Sequence, residues 1–259
     1  MMNPGREKSE NGLLRQLRLL QVYAVLSTVF MAVVFLTASA RSNATAKFKE
    51  IEVGRINVVE PDGTLRLALF NNTQSPGNVM DGRYFPEREG KRGAGLMFFN
   101  DKGDECGGLT YGAREIDGKP AAEAGIMFDR YRQDQIVGLT YSESPKGPRA
   151  GLKVWDRPDI PLLQIVDKMA EIQNMKEGPE KAEATKAFQE AMKAGEFGSD
   201  RIFVGRQPDG EATVMLSDRQ GRARIVMSVG ADGTPNLAFL DEDGKVIDRY
   251  PRNGAPAAE

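Results

Sequence analysis

Apolar and polar positions along this chain fall into three rhythms. From Leu19 to Ala38 the residues LLQVYAVLSTVFMAVVFLTA are apolar or small with no charge, a run of 20. At about 1.5 Å per residue such a helix spans a hydrocarbon core of roughly 30 Å. After it, apolar residues alternate with polar ones at the period of two that marks half-buried strands. Ala223, Ile225, Met227 and Val229 point one way against Arg222, Arg224 and Ser228, and Leu65, Leu67 and Leu69 alternate around Arg66. Between Pro158 and Gly198 the period becomes helical, with Leu162, Ile165, Val166, Met169 and Ile172 in one stripe and Ala187, Phe188, Ala191 and Met192 in a second. Gly178-Pro179 separates the two, and Gly195 stops the second.

Turn signals divide the strands. Asp62-Gly63, Asp209-Gly210, Asp232-Gly233 and Asp243-Gly244 each stand between aliphatic runs, twice preceded by Pro. Asp bonds the local backbone there, and Gly takes the positive φ that follows. One unit also recurs: GLMFFNDKGDECGGLTYG begins at Gly95, GIMFDRYRQDQIVGLTY at Gly125, and a degraded GLKVWD at Gly151. Gly95 to Gly108 and Gly125 to Gly138 are both 13 residues. Repeated hairpins in one sheet explain this better than repeated active sites. The expected fold is mainly β, an antiparallel meander of about ten strands in a sandwich or open barrel. It carries an inserted α-helical hairpin and an N-terminal transmembrane helix. The segments are a basic cytoplasmic tail (1–18), the membrane anchor (19–40), a linker (41–50), a β-hairpin region (51–157), the helical insertion (158–198), a C-terminal meander of the same domain (199–250) and a disordered tail (251–259).

Composition narrows the chemistry. The chain contains no histidine, which excludes Ser-His-Asp and Cys-His arrangements and imidazole-ligated zinc within it. A single cysteine, Cys106, excludes an internal disulfide and lacks an imidazole to activate it. With 35 basic and 37 acidic residues, no overall field calls for nucleic acid. Arg6, Lys8, Arg15 and Arg18 precede the apolar run, and Arg41, Lys47 and Lys49 follow it. This weak bias places the amino end in the cytoplasm and the rest outside the cytoplasmic membrane. The alternative is a cleaved signal peptide with secretion of the remainder, since Ala38-Ser39-Ala40 has the small-x-small form.

No motif in the chain compels a reaction. Asn100–Glu105 and Asp241–Gly244 superficially resemble calcium loops but lack the ligand spacing, so both read as hairpin turns. No phosphate loop or dinucleotide fingerprint occurs. A Ser-Lys dyad among Ser142, Ser144 and Lys146, or a carboxylate pair, remains formally open. The long charged turn with Asp129, Arg130, Tyr131, Asp134 and Gln135 is a candidate recognition surface together with Trp155, against the plainer readings of a solvated turn and a tryptophan plugging the sheet–helix junction.

Arg55–Thr64 (RINVVEPDGT), Phe98–Gly103, Gly107-Gly108-Leu109, Phe128–Gln135 and Trp155-Asp156-Arg157-Pro158 resemble a family of uncharacterised bacterial single-pass membrane-anchored proteins, over nearly the whole chain. The resemblance implies a membrane-anchored β domain and no catalytic residues, metal or cofactor. The expected function is therefore a non-enzymatic binding or scaffold protein anchored through Leu19 to Ala38, with a protein or envelope polymer as partner. A carboxylate-based hydrolase of glycan or envelope material, with Trp155 or Tyr131 lining its groove, and a structural homo-oligomer, pairing through strand edges or the helical hairpin, are the alternatives.

Overall fold

The computed structural model describes residues 4–39 and 45–252. Ala40 of the cleavage-like motif, residues 41–44 of the expected linker and residues 253–259 of the expected tail lie outside the described residues. Two units can be distinguished, residues 1–52 and 53–259.

In the first unit, helix α1 runs Pro4–Ser39. Its segment Arg15–Phe35, 21 residues with mean hydropathy 1.9, is long and apolar enough to cross a membrane, and none of it is buried in the protein. The two hydroxyls of its middle turns close onto the helix itself. Ser27 Oγ donates to the Tyr23 carbonyl at 2.8 Å and Thr28 Oγ1 to the Ala24 carbonyl at 2.9 Å. That leaves neither hydroxyl seeking water in an apolar medium.

The second unit is built on one antiparallel sheet and a small separate hairpin. In chain order the strands are β1 (Arg55–Val59), β2 (Leu65–Phe70), β3 (Asn78–Met80), β4 (Arg83–Phe85), β5 (Ala94–Phe99), β6 (Glu105–Ile116), β7 (Lys119–Asp129), β8 (Gln135–Ser144), β9 (Gly147–Asp156), β10 (Ser199–Arg206), β11 (Ala212–Ser217), β12 (Ala223–Val229), β13 (Pro235–Leu240) and β14 (Val246–Tyr250). β3 and β4 pair only with each other. The other 12 strands follow chain order across the sheet, so every neighbour in space is the next strand of the sheet along the chain. β1 and β14 are the two edges and do not pair with each other. The sheet is an open meander rather than a closed barrel.

The Asp-Gly turns form as expected. Gly63, Gly210, Gly233 and Gly244 have φ of 90°, 97°, 84° and 79°. In the first, the Gly63 amide donates to the Glu60 carbonyl and the Thr64 amide to Asp62 Oδ1, both at 2.9 Å. The calcium-like stretch at Asn100 is a turn of the same kind, with Asn100 Oδ1 accepting from the amides of Lys102 and Asp104.

The repeated glycines lie in register. Gly95 faces Thr110, which faces Gly125, then Thr140, then Gly151, then Gly205. One row along, Met97, Gly108, Met127 and Gly138 alternate large and small. A Cβ on Gly95 would lie 1.9 Å from the Leu109 carbonyl oxygen, and one on Gly138 2.6 Å from Met127 Cγ. The glycines let neighbouring strands and methionine side chains close onto the sheet.

Two additions cover this glycine-bearing face. The first is the β3–β4 hairpin, followed by a 3-10 turn at Pro86–Arg88. It stands over the only contiguous core among the described residues: Ala68, Phe70, Met97 and Phe99, with Leu65 and Val79 packed against them. The second is the helical hairpin, α2 (Leu162–Asn174) and α3 (Pro179–Lys193). Of the expected α2 stripe, Ile165 and Ile172 are buried while Met169 is exposed. Helix α3 buries no residue, its Phe188 stacking instead on Phe197 just beyond its end.

Candidate functional site

The covered face holds a polar cavity of about 520 Å³. Its floor comes from β6 to β8 and the turn after β7, with Glu105, Thr110, Asp129, Asp134 and Gln135. Its walls come from Asn78 and Met80 of β3, from Arg88, Lys91 and Arg92, and from Leu162 and Val166 of α2.

The small hairpin is held there by charge. Asp104, itself buried, accepts from the Gly82 amide at 2.6 Å. Arg132 grips Asp81 through two nitrogens, the longer contact 3.0 Å, and Arg83 pairs with Asp167 of α2. Arg132 has φ of 57°, a left-handed conformation, at the position that aspartate fills in the Asp-Gly turns. Its carbonyl also accepts from the Leu162 amide at 2.8 Å, at the first turn of α2. One strained arginine thus joins the β7–β8 turn, the small hairpin and α2.

Inside the cavity, Asp129 stands at the bulge that ends β7, and its Oδ1 is buried without a hydrogen-bond partner. Burial, then Glu105 and Asp134, push its pKa up to about 7 against the opposing pull of Arg92 and Arg157. Those cations are engaged elsewhere: Arg92 with Glu105 at 2.8 Å, Arg157 with Asp134 at 3.6 Å and with the Gln135 carbonyl at 2.6 Å. Asn78, only 8% exposed, also has a buried Oδ1 with no partner. Among the described residues no group of three or more Asp, Glu or Cys side chains is placed to hold a metal ion.

The residues picked out from sequence divide between different roles. Asp129, Asp134 and Gln135 share the cavity. Arg130 is turned inward on structure: its guanidinium donates to the carbonyls of Arg157 and Pro158 at 2.6 and 2.9 Å and pairs with Asp159. Tyr131 is exposed, its hydroxyl 3.3 Å from Lys102 Nζ. Trp155 lies on β9 outside the cavity, with Lys153 Nζ 4.9 Å from its ring centroid. Cys106 is half-buried, and burial, then Asp129, push its thiol pKa up, which keeps it protonated and unreactive. Asn78 and Arg92 were not singled out, because no local spacing marks them, and Glu105 was noticed only as the end of a calcium-like turn. They meet only through the fold.

The opposite face of the sheet carries a second feature. One row crosses every strand of the sheet: Ile56, Leu69, Leu96, Leu109, Ile126 and Leu139, then Leu152, Val204, Val214, Met227, Leu237 and Tyr250. It contains no charged or small polar side chain, and none of the 12 is buried. Leu139 is 59% and Met227 54% exposed. The adjoining row, from Val58 and Leu67 through Phe98, Phe128 and Val137 to Ile225 and Phe239, is equally apolar until Asp248 on β14. On its other side Ala94, Tyr111, Ala124, Tyr141 and Ala150 alternate across five strands, and a shallow hollow of about 420 Å³ opens between the tyrosines.

No family model matches this chain, and no curated protein does.

Proposed function

We propose that this chain is a non-enzymatic scaffold, anchored by α1 in the cytoplasmic membrane, presenting its sheet outside it and assembling by packing its apolar face onto a second copy. The observation that carries this reading is the unbroken apolar row across 12 strands, none of whose residues is buried by the chain itself. Soluble monomers rarely expose contiguous apolar patches of more than a few hundred Å². At about 4.8 Å between strands and about 6.8 Å between alternate residues, two to three rows over the sheet cover roughly 700–1,000 Å², near the ~800 Å² per partner of a stable interface. Two features favour a second copy as occupant. The leucine row and the phenylalanine row carry no charge before Asp248 and offer little to a polar envelope polymer, whereas two sheets pack readily face to face about 10 Å apart. The alternating tyrosines and alanines are knobs and holes of equal spacing, which a two-fold operation can bring into mesh.

The test is the mass of the full-length protein in lipid nanodiscs, measured before and after Leu139→Arg. A dimer or higher oligomer that reverts to monomer, with unchanged circular dichroism, is expected. A wild-type protein that is monomeric at tens of micromolar overturns the reading. Protection of a Leu139→Cys thiol by added lipid vesicles would then identify lipid as the occupant of the face.

A carboxylate-based hydrolase is the second reading, favoured by one observation: Asp129, with its raised pKa, stands near Glu105 in a cavity, a pairing of unequal carboxylates that such enzymes use. The aromatic platform expected beside a sugar is not part of it, since neither Trp155 nor Tyr131 lines the cavity. Release of reducing ends from purified cell-wall glycan, abolished by Asp129→Ala, would establish the hydrolase in place of the scaffold.

A further inference from the structure

The polar cavity lies on the face of the sheet away from the apolar rows, so what it holds is a separate question from assembly. Two of the residues that line it carry a buried acceptor with no partner. Asn78 Oδ1 belongs to a side chain more than nine-tenths buried, and Asp129 Oδ1 is equally cut off from solvent. A buried acceptor left without a donor costs about 1–3 kcal/mol, and native folds keep very few of them. Each therefore points to a donor that comes from outside the chain.

The surrounding charges say which kind of donor. Glu105 and Asp134 add their negative potential to Asp129, while Arg92 and Arg157 are bound to those same two carboxylates. An ammonium group fits such a place: it has three donors and a positive charge, and no acceptor to be left unsatisfied. A bare metal ion fits less well, because no set of three acidic or thiol groups converges on one point among the described residues. At the outer wall the balance is reversed. Arg88 and Lys91 are exposed cavity residues that form no ion pair among the described residues. The inner end thus holds acceptors without a donor and the outer wall holds cations without a paired anion, Glu123 being the one other lining carboxylate outside the ion pairs.

We propose that the cavity binds a small zwitterion, a primary amine carrying an acidic group some bonds away, with its ammonium on Asn78 Oδ1 and Asp129 and its acid on Arg88 and Lys91. The volume of about 520 Å³ suits a molecule of roughly amino-acid to dipeptide size. Binding of the cation requires Asp129 in its charged form. With the free carboxyl titrating at about 7, affinity rises with pH, by about tenfold from pH 6 to pH 8. The groups facing Asp129 are Glu105, Asp134, Arg92 and Arg157, joined as the pairs Arg92–Glu105 and Arg157–Asp134.

The experiment is isothermal titration calorimetry of the full-length protein in nanodiscs. The probes are the ω-amino acids from glycine to 8-aminooctanoate, with hexylamine and hexanoate as single-group controls. At least one zwitterion should bind tenfold or more tighter than either control. Asp129→Asn, which preserves shape and removes a desolvated charge, should weaken it at least tenfold and abolish the pH dependence. The double variant Arg88→Gln/Lys91→Gln, made at exposed positions, should lower its affinity to that of the amine alone. Binding no tighter than hexylamine for every member, or affinity indifferent to Asp129→Asn in a protein that unfolds no earlier than wild type, overturns the proposal. Neither result bears on whether the apolar face assembles.

Discussion

Asp129 carries its proton to a pH at which a free aspartate has long lost it, and this makes a single residue visible in the stability of the whole fold. The pKa is about 7 when folded against 3.8 for a free aspartate, so between those values the folded protein binds more protons than the unfolded chain. Stability then falls as pH rises. Below pH 4 the residue costs nothing of this kind, the cost grows up to pH 7, and above that it is constant at about 4 kcal/mol. Asp129→Asn removes the dependence. Its advantage over wild type in denaturant midpoint should be near zero at pH 4, grow to pH 7 and remain level at pH 8. An advantage that is the same at every pH would mean Asp129 is not held protonated. The opposite case is Asp62, which is exposed: the Thr64 amide lowers its pKa, and its contribution, present above the ordinary aspartate range, is lost as pH falls through the depressed value. Asp62 was legible as a turn residue because its role is local. The role of Asp129 was not, because its burial is imposed by a hairpin some fifty residues earlier and a helix thirty residues later.

At the scale of elements, the glycine repeat and the turns were readable because each rests on a short-range rule: positive φ after Asp, or period-two alternation. The repeat has a sharper consequence. Gly95→Ala drives a methyl to within 1.9 Å of the Leu109 carbonyl, a backbone atom that moves only with the strand. A loss of about 2–3 kcal/mol or more in urea unfolding is expected, at the upper end of overpacked sites. Gly112→Ala, on β6 with no heavy atom within 4 Å of the added methyl and no positive φ, should be neutral or stabilising by a few tenths of a kcal/mol. Equal effects at the two sites would mean that strand approach is not what the glycines serve. The small β3–β4 hairpin escaped a sequence reading because three-residue strands carry no period. What fixes it is a set of distant charges. Asp104→Ala strips the Gly82 amide of its acceptor and should cost about 1–3 kcal/mol. Hydrogen exchange should locate that loss in residues 78–85 before the main sheet. Loss of protection spread evenly over β6 and β7 would show that Asp104 instead serves the turn in which it lies.

For the molecule as a whole, the alternation predicted strands but not which of their faces would be covered. Both faces are apolar along β2, β5 and β7, so period two leaves the choice open. The fold places the glycine, methionine and small-residue rows under the hairpin and α2, and leaves the leucine-rich rows bare. A scaffold that pairs these rows has a geometric signature. The row from Ile56 to Tyr250 crosses 12 strands, and its middle lies between Leu139 on β8 and Leu152 on β9. A two-fold axis passing between the sheets at that middle brings Leu139 and Leu152 close to their own counterparts, whether it runs along the strands or across them. In membranes, Leu139→Cys in a Cys106→Ser background should form an intermolecular disulfide on mild oxidation. Thr140→Cys, one residue away on the covered face, should form none. The edge strand then reveals the axis. Ile56→Cys links to itself if the axis runs across the strands, and only to Tyr250→Cys on a co-expressed partner if the axis runs along them. Equal, weak crosslinking at 139 and 140 would point to random collision in the bilayer and leave the apolar face without the second copy assigned to it.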